Sequence, residues 1–208
     1  MIASLWDEGE MERATAHLRA DPLLGPVVSA VGPCPLQPLY PDQPFAALAR
    51  NVLYQQLAGS AARAIEDRVR ALGSEPFPNP QELLALSDEA LRGAGVSRPK
   101  IAALRALSSA VLEGTLGVEG LSRLPDHEVV EQVTQVKGLG SWSAEMFLLF
   151  HLGRRDLLPE KDLGIRKGFA HVFEAAELPD PAQMGIWAEP WRPYRSLASW
   201  YLWRSLEL

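Results

Sequence analysis

The sequence predicts an all-α protein, and three observations carry that prediction. From Phe45 to Val69 the apolar residues Phe45, Leu48, Val52, Leu53, Leu57, Ala61, Ile65 and Val69 recur at helical spacing. Capping residues, glycines and prolines then cut the rest of the chain into segments of helix length. No strand leads into a glycine-rich dinucleotide fingerprint, and no phosphate loop ends in Gly-Lys-Ser/Thr.

Taken in order, residues 8–20 form a first helix that ends at Asp21-Pro22. The stretch from Pro22 to Pro44 holds no convincing element, because its prolines remove donors and restrict their neighbours. The segment 45–72 is helical, interrupted or closely packed at Gly59-Ser60. A loop over Pro76 to Pro80 is followed by short helices over 81–86 and 88–92, the second stopped by Gly93-Ala-Gly95. Ser97 caps a helix from Arg98, with Pro99 tolerated in its first turn and Ile101, Leu104, Leu107, Val111 and Leu112 on its buried face. Asp126 caps the next helix, whose inner face is Val129, Val130 and Val133. After Gly138-Leu-Gly140, Ser141 caps an apolar helix running to about His151. Helices over 164–176, 181–188 and 193–206 complete the chain.

At 208 residues the chain buries roughly 70% of its unfolded surface without staples. One cysteine, Cys34, excludes an internal disulfide and any four-cysteine zinc or iron–sulfur site, and fits a reducing compartment. The first ten residues lack the basic start and apolar core of a secretory signal, and no segment has the apolar run of a membrane span. A soluble, intracellular protein with no membrane contact is expected: cytoplasmic in a bacterium, nuclear in a eukaryote. The net charge of −6 opposes general attraction to a polyanion. Local charge differs. Arg92, Arg98, Lys100 and Arg105 lie in a stretch without acids, and six basic residues face four acids between Lys137 and Lys167.

The most informative stretch is Val136-Lys-Gly-Leu-Gly-Ser-Trp-Ser-Ala144. Gly138 and Gly140 flank Leu139 in a turn too tight for ordinary backbone angles. Leu139 then tucks between two helices, while the amides of residues 138–142 open the second helix as an anion site, with Lys137 beside it. The plain alternative is a helix–turn–helix packing unit. Further on, Asp162 precedes Leu163-Gly164 at the start of a helix, the position of an N-cap. Capping and catalysis are compatible there, since helix amides and dipole favour a negative group.

With these residues in view, the chain resembles the helix-hairpin-helix, Gly/Pro-Asp family of DNA glycosylases, nearest the alkylated-base (3-methyladenine, type II) branch. The resemblance runs from Phe45 to Trp203. It rests on Gln55-Gln56-Leu57, on Val136 to Met146, on Gly153-Arg-Arg-Asp-Leu-Leu-Pro-Glu-Lys-Asp-Leu-Gly164, and on Trp191-Arg-Pro-Tyr-Arg195 ahead of Trp203. It implies two helical lobes with an active-site cleft between them, within a single glycosylase unit spanning 1–208. We assign 45–125 to a middle lobe, and 1–44 with 126–208 to a second lobe holding the hairpin (126–150). Fuller members carry an N-terminal sheet domain; the 44 residues ahead of Phe45 do not read as that sheet, so a compact form is expected.

The resemblance makes Asp162 the catalytic residue. A carboxylate beneath the sugar stabilises the positive charge that builds as the base departs, and orients or deprotonates water. Glu160 and Asp156 are weaker candidates. Relatives that also cut the backbone carry a lysine where this chain has Trp142, which implies a monofunctional enzyme that leaves an abasic site.

Trp142, Met146 and Trp203 match positions that line the base pocket, where electron-rich rings attract a cationic base. Tyr54 either reaches that pocket or packs, and Trp191 and Trp200 read as core. Gln55, Gln56 and Leu57 face DNA. Gln56 is the first candidate for the residue that fills the vacated stack, and Leu57 the second. Arg98, Lys100 and Lys137 are phosphate candidates, with Gly138, Leu139, Gly140 and Ser141 of the hairpin; solvated surface charge serves equally well for Arg98 and Lys100. The family commonly holds K+ or Na+ on hairpin carbonyls, here Thr134, Val136 and Leu139, and no other cofactor is implied.

The expected partner is duplex DNA containing alkylated bases, met by a monomer with no obligate protein partner. Which alkylated purine is preferred stays open. A non-catalytic hairpin DNA-binding module and a helical protein-interaction domain are the rival readings.

Overall fold

In a computed structural model, residues 6–35, 39–57, 59–74 and 76–208 are described. The reading of residues 1–5 as no part of a signal lies outside them, as do residues 36–38 of the proline-rich stretch. The described residues form helices and loops without strands. The helices are α1 (Glu8–Arg19), α2 (Leu24–Val31), α3 (Pro44–Tyr54), α4 (Gly59–Arg70), α5 (Pro80–Ala85), α6 (Asp88–Gly93), α7 (Arg98–Leu112), α8 (Asp126–Thr134), α9 (Ser141–Phe150), α10 (Leu163–Val172), α11 (Pro181–Trp187) and α12 (Arg195–Ser205). Short 3-10 turns occupy Val118–Arg123 and Glu189–Trp191. No described helix is long and apolar enough to cross a membrane.

Most expected helices form, but several boundaries differ for local reasons. Helix α2 falls inside the stretch read as lacking an element. Asp21 Oδ1 accepts from the amides of Leu23 and Leu24, at 2.9 and 2.8 Å, which starts the helix. Pro26 then lies within the first turn, where a missing N–H costs nothing. Ser141 and Asp126 do not cap; each is the first helical residue, after Gly140 and Pro125. Ser97 holds the N-cap position of α7, with no capping bond from its side chain.

The chain divides into two compact units. One is Leu39–His151, built from α3 to α9; the other combines the described parts of 3–38 with Leu152–Leu208. The hairpin helices α8 and α9 thus belong with the middle helices and not with the chain ends, contrary to the assignment made from sequence. Long-range bonds explain it. The buried Asn51 on α3 donates through Nδ2 to Ser143 O on α9 at 3.1 Å. Gly138 packs so closely on α7 that a Cβ added there would stand 2.5 Å from Ala103 Cβ.

Within the Leu39–His151 unit the core is mainly aliphatic, with Leu48, Leu53, Leu104 and Leu107 fully buried alongside Phe147. A polar cluster interrupts it at Glu66. This carboxylate accepts from Tyr40 Oη at 2.5 Å and Tyr54 Oη at 2.8 Å, and Arg50 Nε lies 3.2 Å away. The pairing supplies the partners that a buried charge requires.

The second unit has an aromatic core. Phe169 stacks on Trp191 at 5.3 Å, and Phe173 stacks on Trp187 at 4.3 Å. Trp191 satisfies its indole N–H on Asp21 Oδ2 at 2.9 Å, so the core reading for Trp191 holds; Trp200 is half-buried. Helices α10 and α12 approach at glycine, where a Cβ on Gly168 would fall 2.5 Å from Leu202 O.

Two predictions concern stability. Gly168→Ala forces α10 and α12 apart and should cost about 1–3 kcal/mol in urea unfolding, the usual range for overpacking; an unchanged midpoint would contradict the contact. His151 is buried, with Nδ1 2.8 Å from Leu39 O and Nε2 lacking a partner. Burial pushes its pKa down. The unfolded chain therefore takes up the proton first, so stability is lost as pH falls below the unfolded value of about 6.5. The stability advantage of wild type over His151→Asn should accordingly shrink between about pH 7 and pH 5.

Candidate active site

Asp162 is the N-cap of α10, as its sequence position required. Its Oδ1 accepts from the Ile165 amide at 2.8 Å. The same oxygen accepts from Trp203 Nε1 on α12 at 2.9 Å. A cap and an indole therefore converge on one carboxylate oxygen and fix the plane of the group. Both Asp162 and Trp203 are half-buried, the state needed by groups that are held yet reachable.

Gly164 makes this possible. A Cβ there would lie 2.7 Å from Trp203 Cδ1, 2.8 Å from Nε1 and 3.0 Å from Asp162 Oδ1. With Gly168 one turn on, it forms the small-residue track along which α12 approaches α10. That spacing was visible in the sequence, and sequence reasoning missed it.

The acids considered beside Asp162 separate clearly. Asp156 is paired with Arg192 and with Arg195, whose Nε lies 2.6 Å from Oδ1. It ties its loop to the start of α12 and is committed to that task. Glu160 lies in the turn ahead of Asp162, half-buried.

In the other unit the hairpin has the expected form. Gly138 takes φ +93°, in the left-handed region, and Leu139 is buried at 5% exposure. The Leu139 amide is used inside the turn, on Val136 O at 3.0 Å. The bonds internal to α9 begin with Ser143 N to Gly140 O. Within residues 138–142 the Leu139 amide is therefore spent inside the turn, which narrows the expected anion-binding set by that one donor. Lys137, next to Gly138, and Arg98, at the start of α7, are both exposed.

Other candidates are placed differently from expectation. Lys100 is half-buried and donates to Leu53 O at 2.6 Å, holding an end carbonyl of α3; burial lowers its pKa. Gln55 points inward. Its Nε2 donates to Gly138 O and Ser143 Oγ, both at 3.0 Å, so its amide serves the protein. Gln56 and Leu57 are exposed, and Gln56 has φ +57°.

Tyr54 is occupied on two sides. Its hydroxyl donates to Glu66, and the Arg50 guanidinium lies 3.7 Å from its ring centroid. Burial, then the bond to Glu66, pushes its pKa up to about 12. A cation already covers one face of this ring, so it is a poor platform for a cationic base. Met146, on α9, is buried at 4%, whereas Trp142 is half-buried near the start of that helix. Sequence reasoning missed Asn51, Ser143, Arg50 and Glu66. Only Glu66 left a signal, a carboxylate on the apolar face of α4 between Ala62 and Val69.

Among the described residues no group of three His, Cys, Asp or Glu side chains could hold a metal. The hairpin carbonyls are oxygen donors of the type an alkali cation takes. Val136 O already accepts one amide, and the Thr134 hydroxyl is turned back to Val130 O at 2.7 Å.

Comparison with known proteins agrees with this geometry. Residues 49–193 match the family model described as "HhH-GPD superfamily base excision DNA repair protein". The chain belongs to that superfamily. It is 35% identical over 168 residues to DNA-3-methyladenine glycosylase 1 of Schizosaccharomyces pombe, covering 80% of this chain and 74% of the relative. It is also similar to the structure of the S. pombe 3-methyladenine DNA glycosylase in complex with abasic DNA. There the TM-score is 0.85 at 33% identity, over 94% of this chain and 97% of the other. A DNA-3-methyladenine glycosidase structure from Bacillus halodurans gives 0.72 at 34% identity, over 92% and 88%.

The hold on Asp162 is testable by NMR. Trp203→Phe should delete one indole N–H resonance and so assign it. Gly164→Ala should then move or broaden that resonance and cost about 1–3 kcal/mol of stability, because the added methyl overlaps the indole. An unmoved resonance in Gly164→Ala would rule out the close packing.

Proposed function

We propose that this chain is a monofunctional DNA glycosylase that hydrolyses the N-glycosidic bond of alkylated purines in duplex DNA and leaves an abasic site for base excision repair. The observation that carries this reading is Asp162, fixed by an N-cap bond and an indole N–H at the position of the family's essential carboxylate.

The chemistry follows from charge. As the bond between C1′ and the purine nitrogen breaks, its electron pair goes to the base, and the sugar becomes oxocarbenium-like. An alkylated purine such as 3-methyladenine or 7-methylguanine carries positive charge in the nucleotide and leaves neutral, so little acid assistance is needed. Asp162 then has one electrostatic task, to stabilise the sugar cation. Water adds to C1′, and its surplus proton passes to the carboxylate or to solvent.

Trp142 and Trp203 are each assigned to the extruded cationic base, by attraction of the cation to an aromatic face. Trp203 would serve twice, through its ring and through its N–H on Asp162. Gln56 is assigned to the gap left in the stack. Its exposed side chain on a left-handed backbone supports this, with exposed Leu57 as runner-up. A tryptophan at 142, where a Schiff-base lysine stands in strand-cutting relatives, supports hydrolysis without backbone cleavage. A K+ or Na+ ion on the carbonyls of Thr134, Val136 and Leu139, and action as a monomer, belong to the same reading.

Asp162→Asn should lower single-turnover release of 7-methylguanine or 3-methyladenine by about 100-fold or more, the scale of losing a preorganised electrostatic group. Its affinity for a duplex with an abasic-site analogue should stay within about threefold of wild type, less than the roughly 1.4 kcal/mol that a tenfold change represents. Undiminished release would remove Asp162 from the mechanism, and binding without release in the wild type would favour the non-catalytic module.

A further inference from the structure

The Gln55 amide nitrogen has two hydrogens, and both are placed. Gly138 O and Ser143 Oγ each lie 3.0 Å away. A carbonyl oxygen only accepts, so the nitrogen of the Gln55 amide must face Gly138. One acceptor belongs to the hairpin turn and the other to the first turn of α9, so a single side chain spans the element that presents amides to phosphate.

The other end of Gln55 is equally constrained. It is the C-cap of α3, and the next residue, Gln56, has φ +57° on an exposed tip. Two more bonds hold α3 in place: Lys100 Nζ of α7 to Leu53 O at 2.6 Å, and Asn51 Nδ2 to Ser143 O of α9 at 3.1 Å. The hairpin itself cannot slide, because Gly138 sits against Ala103. The left-handed residue at 56 costs conformational energy, which the surrounding contacts must offset.

We propose that Gln55 is a positioning residue that sets the distance between the hairpin's phosphate contact and the Gln56–Leu57 tip. This rests on the glycosylase reading and adds a separate element to it. A duplex gripped at a phosphate by the hairpin must receive the tip in the space of one extruded nucleotide. A rigid amide bridge sets that register before DNA arrives, so that less of the binding energy goes into ordering the tip. Gln55 contacts neither the base nor the sugar. Its loss should therefore weaken extrusion and recognition of the gap while leaving the chemistry at Asp162 intact.

The test uses Gln55→Leu, which keeps bulk and removes both donors, and Gln55→Glu, which keeps length and sets a carboxylate against Gly138 O. Ser143→Ala removes one acceptor and is the milder companion should either fold poorly, as judged by thermal melting. Single-turnover base release is measured on one lesion, in its normal pair and in a mispair, where extrusion costs less. The Gln55 variants should lose about tenfold or more on the paired lesion and less than about threefold on the mispaired one, since a mispair removes part of the unstacking cost. Ser143→Ala should show the same pattern more weakly. Equal losses in both contexts, or no loss in either, would overturn the proposal.

Binding separates this claim from the glycosylase reading. Preference for an abasic-analogue duplex over undamaged duplex should fall in the Gln55 variants even if wild type proves to release no base. An unchanged preference would count against the bridge. Absent release from wild type would count against the enzyme alone.

Discussion

Two donors meet on Asp162 Oδ1, and much of the second unit is arranged to let them. The Ile165 amide arrives because Asp162, itself extended after a turn, opens α10. The Trp203 indole arrives from α12, 41 residues later, because Gly164 and Gly168 leave no side chains in its way. Stacking of Phe169 on Trp191 anchors α10 to the turn ahead of α12. A carboxylate that rotated freely would have to be oriented during the reaction, and preorganisation removes that cost. The unit's packing and its proposed chemistry therefore depend on the same contact.

The Leu39–His151 unit follows a parallel logic with neutral groups. Its hairpin is built from backbone, and side-chain amides hold that backbone in place: Asn51 and Gln55 both donate to it from α3. Burying such groups is favourable only because each finds an acceptor. Glu66 shows the same rule for charge, with two tyrosines and an arginine around one carboxylate. Tyr54 is consequently more deeply engaged in structure than its place beside Gln55 and Gln56 suggested.

The features legible in sequence were those that local physics determines. An aspartate before an apolar helical period marks an N-cap, and Asp162 is one. Gly-Leu-Gly between two amphipathic segments marks a tight turn with an inward leucine, and Leu139 is buried. What escaped was set by distant partners. Gln55 turned inward because Gly138 and Ser143, more than 80 residues away, offered acceptors that no local pattern shows. The hairpin's allegiance to the middle helices rested on the Asn51–Ser143 and Gly138–Ala103 contacts, equally remote in sequence. Helix α2 was hidden by prolines counted as breakers when one of them sat harmlessly in a first turn. Ser141 and Asp126 lost their capping roles by a single position, the usual margin of error at a helix end.

The central claim is hydrolysis driven by one held carboxylate, with no covalent attachment to the enzyme. Its most direct measurement is the product formed from an end-labelled duplex carrying one alkylated purine. The account requires free base in solution, together with a strand that stays full length until hot alkali cuts it at the lesion. A strand cut without alkali, or enzyme trapped on DNA by borohydride, would contradict it, since either demands an amine nucleophile in the place this structure gives to Trp142.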